Sequence, residues 1–410
     1  MQFQGNNALS SRKWLLKGPI ETKMAGRRAY LDYNASAPLL AAARTAMIAA
    51  LDTAANPSSV HAEGRAARRL IENARRDVAL LVNASAEHIV FTSGATEAAS
   101  TLLTPDWQMG RGTVRMSRLY VCEADHPCVL NGGRFPAAQV THIGVDADGL
   151  VRLDALAAAL GRHDKADGLP LVAIHAANNE TGVIQPVDRI AKIVKAAGGI
   201  LVVDAVQAAG RIPLDMSVGY ADYLILSSHK IGGPKGIGAI VAASDLMMPT
   251  PLIAGGGQEK GHRGGTENLA AIAGFGAAAR EALIGLKRID AVGSRRDDIE
   301  AIVKTLVPDA EIFGTGAPRL ANTTFFAIAG IKAETAQIAF DLAGVALSAG
   351  SACSSGKVGP SHVLKAMGYN DSLGALRVSI GHATSAEDIE LFRTALAGIA
   401  SRRAGRDEAA

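Results

Sequence analysis

The 410-residue sequence predicts an α/β fold built on a largely parallel sheet. From about residue 86, short runs rich in β-branched residues alternate with segments whose apolar residues recur at helical spacing. Hydrophobic residues make up 48% of the chain and charged residues 20%, so a large core can be buried. Small, polar or charged residues follow several of the β-branched runs directly, which is typical of the ligand-binding edge of a parallel sheet.

The predicted strands of the large sheet are six apolar runs. They lie at 88–93, 118–124, 171–177, 200–206, 222–228 and 237–242. Between two of them, "VDRIAKIVKAAGG" has helical periodicity and ends in a glycine pair suited to a helix C-cap. Because ligands of open parallel sheets bind beyond the carboxyl ends of the strands, we expect the functional residues at that edge.

The last third of the chain has a different pattern. The strand-like segments "ANTTFFAI", "VALSAG" and "LRVSIGH" are mixed with helices. A last helix is predicted to begin near Ser385, which forms a variant capping box with Asp388. We therefore predict a large domain of residues 44–287 and a smaller α+β domain of residues 29–43 and 288–410.

Charge and cysteine content argue against several classes of protein. The formal net charge is +3, and no basic stripe is interleaved with aromatic residues, so we expect no nucleic-acid partner. The three cysteines, Cys122, Cys128 and Cys353, cannot form a disulfide framework and lack C-x-x-C spacing. We therefore expect a reducing cytoplasm and no resident metal. No segment approaches the apolar length of a membrane span, so we expect no membrane association.

Residues 1–28 are basic, with Glu21 as the single acid. Their apolar stretch, Trp14-Leu15-Leu16, is too short for a secretory signal. We expect a disordered tail. An organelle transit peptide and an extension ahead of a start at Met24 are the alternatives.

Two strand ends carry residues suited to a cofactor site. Lys230 follows "LILSSH" and precedes the glycine-rich "IGGPKGIG", which lets a ligand approach the backbone closely. Such an amine forms a Schiff base when its surroundings favour loss of its proton, whereas a solvated surface lysine is the simpler alternative. Asp204 ends the apolar run "ILVV", so its carboxylate needs a cationic or donor partner. It either caps a following helix or keeps the pyridinium nitrogen of pyridoxal phosphate (PLP) protonated.

Two further strand ends suggest a phosphate site and a proton carrier. In "FTSGATEAAS" a helix opens at Ala95, so free backbone N–H groups and the helix dipole can hold a phosphate. The motif is neither a P-loop nor GxGxxG, and an ordinary strand-to-helix turn has the same pattern. His126 follows another strand, where it either stacks on a flat cofactor and shuttles protons or is structural. We interpret Cys122 as a small buried hydrophobe and give Cys128 no role.

These motifs together resemble the group I (NifS/IscS type) cysteine desulfurases, which are class V, fold-type I PLP enzymes. The matching segments run from "YLDYNASAPL" at residue 30 to "LRVSIGHATSAEDIE", which ends at residue 390. The most specific are "SSHKIGGPKGIGA", "GGGQEKGHRGGTEN" and "SAGSACSSGKVGPSHVL", in this order. The resemblance implies the fold-type I transferase fold, with a large PLP-binding domain and a smaller α+β domain.

Position by position, the resemblance implies a complete PLP site. Lys230 would bind the cofactor covalently, Asp204 would pair with the pyridine nitrogen, and His126 would stack on the ring. Gln207 and Asn179 would bond the phenolic oxygen side of the ring. The implied phosphate ligands are Ala95, Thr96, Ser227, His229 and, reaching from the other subunit of a homodimer, Thr266.

The implied substrate is L-cysteine, with Arg377 binding its carboxylate and Asn34 beside it. Three places depart from the usual family pattern. His382 replaces an arginine, Ser36 and Ala37 replace two threonines, and "GHRGG" replaces a commoner Arg-Pro or Arg-Ser pattern. These departures leave the implied PLP site intact and bear on substrate recognition.

Cys353 defines the implied reaction. Lys230 would remove the Cα proton of the bound cysteine, and the Cys353 thiolate would attack the substrate sulfur, which leaves a persulfide and releases alanine. An unperturbed thiol has a pKa near ~8.5, so the thiol needs activation. Small, glycine-punctuated neighbours in "SAGSACSSGKVG" would let the thiol travel to a sulfur acceptor or iron–sulfur scaffold protein. Cys353 would then also be a transient iron–sulfur ligand during transfer.

Two alternatives stay open from the sequence. Another class V enzyme, such as a selenocysteine lyase or an aminotransferase, would not need Cys353. A non-catalytic scaffold that binds sulfur-transfer partners would tolerate loss of Lys230, which is present here. Three destinations for the sulfur are also open: iron–sulfur cluster assembly, nitrogenase maturation and tRNA thiolation.

Overall fold

A computed structural model of the chain describes residues 26–350, 361–369 and 374–407. Within these residues the strands, in chain order, are β1 (Ala29–Tyr30), β2 (Ile89–Thr92), β3 (Asp106–Met109), β4 (Gly112–Cys122), β5 (Val140–Ile143), β6 (Leu169–His175), β7 (Ile200–Asp204), β8 (Tyr223–Ser227), β9 (Gly238–Ala242), β10 (Met247–Pro249), β11 (Glu311–Ile312), β12 (Thr323–Ala327), β13 (Val345–Ala346), β14 (Ser348–Ala349) and β15 (Leu376–Ser379). The α-helices are α1 (Ala41–Leu51), α2 (Ala62–Leu81), α3 (Ala95–Leu102), α4 (Pro127–Leu130), α5 (Leu153–Gly161), α6 (Val187–Ala196), α7 (Leu269–Gly285), α8 (Ile289–Leu306), α9 (Ala333–Leu342), α10 (His362–Ala366) and α11 (Ala386–Asp407).

In the part of the chain that the structure describes, the large sheet has nine strands. Their order is β10-β3-β4-β6-β7-β8-β9-β2, with β5 beside β4. The centre is parallel, because β5, β6, β7 and β8 all run with β4. The remaining strands join it in antiparallel pairs. The sheet is therefore mixed with a parallel centre, and the predicted α/β fold is confirmed.

The parallel centre is buried on both faces, which explains why its strands are continuous apolar runs. Along β6, Leu171 and Ala173 belong to the apolar cluster on one side of the sheet. Val172 and Ile174 belong to the cluster on the other side, as the two-residue period of a strand requires. The helix α6 begins and ends as predicted, and Gly198 after it has a positive φ of 70°, which suits a C-cap.

A second, antiparallel sheet has the order β11-β12-β15-β14 among the described residues. Its core contains Phe340 stacked on Phe392, with ring centroids 5.3 Å apart. The predicted capping box at α11 is confirmed: the Ser385 N–H donates to Asp388 Oδ2 at 2.9 Å, and the Asp388 N–H donates to Ser385 Oγ at 3.2 Å. Near the start of the chain, β1 pairs with β13 in parallel, which brings Ala29 beside this second sheet.

Two details differ from the sequence expectations. The proposed boundary between residues 43 and 44 falls inside α1, which packs as one helix against α7, so we propose a division before Ala41 instead. Arg27, assigned to the disordered tail, donates from Nη2 to Ser385 Oγ at 2.8 Å and to Asp388 Oδ1 at 3.2 Å. The other proposed boundary, at residue 288, falls at the single 3-10 turn between α7 and α8.

The expectation about membrane spans also needs correction. The helical stretch Leu269–Leu306, which contains α7 and α8, is long and apolar enough to cross a membrane by length and composition. Of its most apolar window, 56% is buried inside the protein. Close packing explains its apolar composition, because a Cβ at Gly274 would lie 2.6 Å from Met47 Cγ of α1 and one at Gly276 would lie 2.6 Å from Ala74 Cα of α2. The stretch is thus built into the core of the fold.

Candidate active site

The carboxyl ends of the central strands open onto a cavity of about 580 Å³. Nine of the residues expected at the site line this cavity. They are Ala95, Thr96, His126, Asn179, Asp204, Gln207, Ser227, His229 and Lys230. Strand pairing brings them together: β6, β7 and β8 run parallel and end side by side, with His175 opposite Asp204 and Asp204 opposite Ile225.

Lys230 stands one turn beyond the end of β8. Its Nζ donates to the backbone oxygens of Asn34 at 2.6 Å and Ala35 at 3.0 Å. The turn that follows depends on glycine, because a Cβ at Gly233 would lie 2.0 Å from Ser228 Oγ. The glycine-rich segment therefore folds tightly behind Lys230, and the Lys230 amine is held against the backbone of residues 34 and 35, of which Ala35 lines the cavity.

Asp204 ends β7 as a buried carboxylate, 7% exposed. Its Oδ1 accepts the Val206 N–H at 3.0 Å. Burial raises the pKa of Asp204, although the Val206 hydrogen bond and the nearby His126 act to lower it. Residues 206–211 form consecutive turns and no α-helix, so the alternative of a helix-capping aspartate is not supported. A cationic donor in the cavity would stabilise this carboxylate.

The start of α3 forms the opposite wall of the cavity. No side chain caps its first turn, so the N–H groups there are available to a ligand. The strand β9 comes very close to this point, because a Cβ at Gly238 would lie 2.7 Å from the carbonyl carbon of Gly94. Glu97 also lines the cavity. Burial would raise the pKa of Glu97, but hydrogen bonds from Ser93 and Arg263 outweigh it and hold that pKa below its usual range.

His229 faces the same wall with Ser227. Burial and the neighbouring Lys230 and Lys235 lower the pKa of His229 to about 4. At neutral pH its ring is therefore uncharged, and it offers one N–H donor and one acceptor. The hydroxyl oxygen of Ser36 lies 3.4 Å from His229 Nδ1. A neutral imidazole, a serine hydroxyl and free backbone N–H groups are together suited to a phosphate monoester.

His126 caps the short helix α4, and Cys128 determines how its ring is protonated. The Cys128 N–H donates to His126 Nδ1 at 3.2 Å, and the Cys128 Sγ lies 3.0 Å from the same nitrogen. A backbone N–H can only donate, so Nδ1 is an acceptor and the neutral ring carries its proton on Nε2. Burial raises the pKa of the Cys128 thiol, so this sulfur stays protonated and can donate to Nδ1 as well. No pattern in the sequence indicates this contact.

A second histidine, His175, also lines the cavity and was not expected there. Its Nδ1 lies 2.5 Å from Asp125 Oδ1, and its Nε2 lies 3.2 Å from the Gln185 Nε2. Asp125 further accepts the backbone N–H groups of Cys122 at 2.7 Å and of His175 at 2.9 Å. Cys122, Asp125 and His175 have the spacing of a metal site. The oxygens of Asp125 are already occupied by these donors, so the cluster instead fixes the loop that carries His126.

Two expected substrate ligands lie beside the cavity instead of lining it. Arg377 on β15 is fully buried, and its guanidinium donates to the Asn179 oxygen at 3.0 Å and to Asp32 Oδ1 at 2.8 Å. A substrate carboxylate would have to share this guanidinium with Asp32. The side chain of Asn34 bonds Thr323 Oγ1 at 2.9 Å, so this residue meets Lys230 through its backbone oxygen.

The last two expected residues lie elsewhere. Thr266 is exposed and does not line the cavity of its own chain. Cys353 lies outside the described residues, within 351–360. The flanking residues are described: the Gly350 N–H donates to the Ala375 oxygen at 2.8 Å, and Ser361 Oγ donates to Glu180 Oε2 at 2.5 Å.

The donors around the cavity fit PLP. A buried carboxylate, Asp204, suits a protonated ring nitrogen, and the primary amine of Lys230 suits an aldehyde. The uncapped start of α3 offers backbone N–H groups to a phosphate, and Thr96, Ser227 and His229 line the same cavity. The cavity volume is also in the range of small-molecule sites.

The comparisons with known proteins agree with this site. The family model Aminotransferase class-V matches residues 29–392. A cysteine desulfurase of Cereibacter sphaeroides is 38% identical over 371 residues, which covers 88% of this chain and 93% of the relative. The solved structure of a NifS-like protein from Rickettsia africae has a TM-score of 0.81 at 31% identity and covers 91% of this chain and 99% of its own. The structure of SspA in complex with cysteine has a TM-score of 0.69 at 27% identity and covers 86% of this chain and 99% of its own. The chain therefore belongs to the aminotransferase class-V family, among its PLP-dependent cysteine desulfurases.

Proposed function

We propose that the cavity removes sulfur from L-cysteine, producing L-alanine and a persulfide on Cys353 that passes to an acceptor protein. The observation that carries this proposal is the convergence of Lys230, Asp204, His126 and the start of α3 on one cavity. Membership among the cysteine desulfurases and the likeness to a structure complexed with cysteine support L-cysteine as the substrate.

In this proposal, three cavity residues have different roles in proton transfer. When bound, PLP draws electrons away from the Cα of the amino acid attached to it. Asp204 is placed to keep the ring nitrogen charged, and Lys230 is placed to take the Cα proton. His126, with its proton on Nε2, is placed as a donor beside them. The start of α3, Ser227 and His229 would hold the phosphate.

Cys353 completes the reaction in this proposal. Its thiolate attacks the substrate sulfur, a sulfur–sulfur bond forms, and the carbon–sulfur bond of the substrate breaks. The electron pair of that bond stays on the carbon, which takes up a proton and becomes the methyl group of alanine.

The flanking residues support a thiol that reaches the cavity. Gly350 follows β14, where Ser348 Oγ accepts from Arg377 Nη2 at 3.2 Å, and Arg377 in turn contacts the cavity residue Asn179. On the far side, Ser361 bonds Glu180, the residue after Asn179.

We also propose that the protein works as a homodimer in which Thr266 contributes to the phosphate site of the other subunit. Its exposed position outside its own cavity supports this arrangement. Sedimentation of the PLP-loaded protein should give the mass of two chains. An active, PLP-loaded monomer would rule the arrangement out.

The sulfur acceptor and the compartment complete the proposal. The persulfide sulfur is then transferred to an acceptor protein, such as an iron–sulfur scaffold or another thio-cofactor assembly protein. A reducing cytoplasm agrees with the chemistry, because Cys122 and Cys128 are free thiols and Cys353 must be reduced to act.

The test of the proposed function is the Cys353→Ala variant. The parent should form alanine from L-cysteine with sulfur transferred to an added thiol, and the variant should lose this activity by at least about 10³-fold. A variant that releases sulfide from cysteine at the parental rate would refute the desulfurase mechanism and favour a lyase. A parent that stays colourless after PLP is added would refute PLP chemistry altogether.

A further inference from the structure

Arg211 lies behind the cavity and has no role in the chemistry described above. Its side chain is buried, with 8% of the residue exposed. In the described part of the chain, no carboxylate oxygen lies within the 4.0 Å of an ion pair with its guanidinium. A buried cation without a carboxylate partner is costly, so its contacts deserve an explanation.

Among the described residues, the hydrogen bonds of this guanidinium all go to carbonyl oxygens at the cavity wall. Nη1 donates to the backbone oxygen of Gln207 at 2.9 Å and also to Gln207 Oε1. Nη2 donates to the backbone oxygen of Lys230 at 3.3 Å. Arg211 therefore connects two residues that the proposed function places around the cofactor.

The contact with Gln207 fixes the orientation of its amide. An arginine can only donate, so the amide atom that it touches is the oxygen, and the amide nitrogen lies on the other side. Gln207 Nε2 indeed donates to the backbone oxygen of Asn34 at 3.0 Å, the same oxygen that accepts from Lys230 Nζ. One amide hydrogen is used there, and the other is available to the cavity that Gln207 lines.

A tight turn brings Arg211 back over Gln207. Gly210 has a φ of +70°, and a Cβ at this position would lie 2.8 Å from Ala282 Cβ of α7. Burial and the nearby Arg377 lower the pKa of Arg211 to about 9, so the guanidinium is still charged at neutral pH. Its charge strengthens its hydrogen bonds to both Gln207 oxygens.

We propose that Arg211 is a positioning residue that holds the Gln207 amide with its N–H₂ group toward the cavity. Gln207 then donates to an anionic oxygen of the bound cofactor. This inference rests on the proposed function, because it assumes that the cavity binds PLP.

The test is a double-mutant cycle on PLP binding. Apo-protein is titrated with PLP while the visible absorbance of the bound cofactor is followed, and the Kd and the band position are recorded. Arg211→Met should raise the Kd about 10-fold and shift the band, as should Gln207→Leu. In the Gln207→Leu background, Arg211→Met should add less than about 2-fold, because the residue acts through Gln207. Arg211→Lys should restore part of the affinity, since a point charge reaches fewer of the carbonyls.

Arg162→Met is the matched control, because Arg162 is an exposed arginine remote from this wall. It should leave the Kd and the absorbance unchanged. Thermal unfolding of each apo-variant separates a loss of fold from a loss of positioning. If Arg211→Met does not fold, the test depends on Arg211→Lys. A PLP Kd and a visible absorbance band equal to those of the parent would then overturn the inference.

The failures of the two proposals are distinguishable. A parent chain that binds no PLP contradicts the proposed function. A parent that binds PLP, with an Arg211→Met effect that is absent or undiminished in the Gln207→Leu background, contradicts only the role of Arg211.

Discussion

The two sheets of this protein contribute to the site in different ways. At the carboxyl edge of the nine-stranded sheet, side chains enter the cavity directly: Asp204 ends β7, and Lys230 stands one turn after β8. The four-stranded sheet instead contributes Arg377, whose guanidinium holds the Asn179 backbone and Asp32 beside the cavity. In the proposed function, the first region therefore carries the cofactor chemistry, and the second contributes Arg377 for contact with the substrate.

The two regions also differ in whether a buried charge has a partner of opposite charge within the protein. Arg377 has a carboxylate partner at 2.8 Å, so its charge is compensated within the protein. Burial raises the pKa of Asp204, and among the described residues no cationic side chain lies within the 4.0 Å of an ion pair with its carboxylate. Because this carboxylate is buried without an ion-pair partner, a cationic ligand that binds beside it should stabilise the folded protein. Variants in the two regions should therefore differ in what they change.

The largest effect is expected for Lys230→Ala. In the proposed function this change removes both the covalent attachment of the cofactor and the base, so alanine formation should fall by at least about 10³-fold. Lys235→Ala is the matched control, because Lys235 is the other lysine lining the cavity and should cost less than about 10-fold. Steady-state alanine formation checks both. Equal losses in the two variants would show that only positive charge in the cavity matters.

Asp204→Asn should lower activity by about 10²-fold or more, because in the proposed function Asp204 is the anion that pairs with the ring nitrogen of the cofactor. The cofactor-free variant should nevertheless be more stable than the parent at pH 7. The folded pKa of Asp204 is raised, so its favourable contribution is present below the unfolded value and is lost as the pH rises through the folded pKa. Urea unfolding of both apo-proteins at a series of pH values checks this, and the difference should shrink toward low pH. A variant less stable than the parent at pH 7 would contradict the claim that burial of the Asp204 carboxylate destabilises the cofactor-free protein.

Arg377→Lys should change substrate binding without changing the cofactor. The KM for L-cysteine should rise about 10-fold because the planar fork is lost, while the PLP absorbance stays that of the parent. Arg319→Lys is the control, since Arg319 also makes an ion pair, partly buried, to Glu300 at 2.7 Å, and does not line the cavity. An altered PLP spectrum with an unchanged KM would show that Arg377 acts on the cofactor and not on the substrate.

The smallest effect on activity is expected for Ser385→Ala at the start of α11. Loss of the capping box should lower the free energy of unfolding by about 1 kcal/mol and leave kcat and KM unchanged. Ser401→Ala on the exposed face of the same helix should stay within about 0.5 kcal/mol of the parent. Denaturant unfolding and activity assays check both variants. If Ser385→Ala lost activity, the start of α11 would have to influence the residues of the cavity, contrary to this prediction.

The sequence was sufficient to predict the parallel centre of the sheet, because buried strands leave continuous apolar runs. It did not reveal β3, whose residues Asp106–Met109 are mostly exposed and pair with β4 and β10 only through tertiary contacts. Lys230 and Asp204 were found because strand ends meet at one edge of a sheet. Arg211 and Cys128 were missed because their roles depend on side-chain direction, through a glycine turn in one case and a helix cap in the other.

The most direct test of the whole account is peptide mass spectrometry of the full-length, PLP-loaded protein after brief treatment with L-cysteine. We expect the peptide containing Cys353 to gain the mass of one sulfur atom. The peptide containing Cys128 should stay unmodified, because burial raises the pKa of that thiol and keeps it protonated. Alanine formed with no sulfur on Cys353, or with the sulfur on Cys128, would contradict the account.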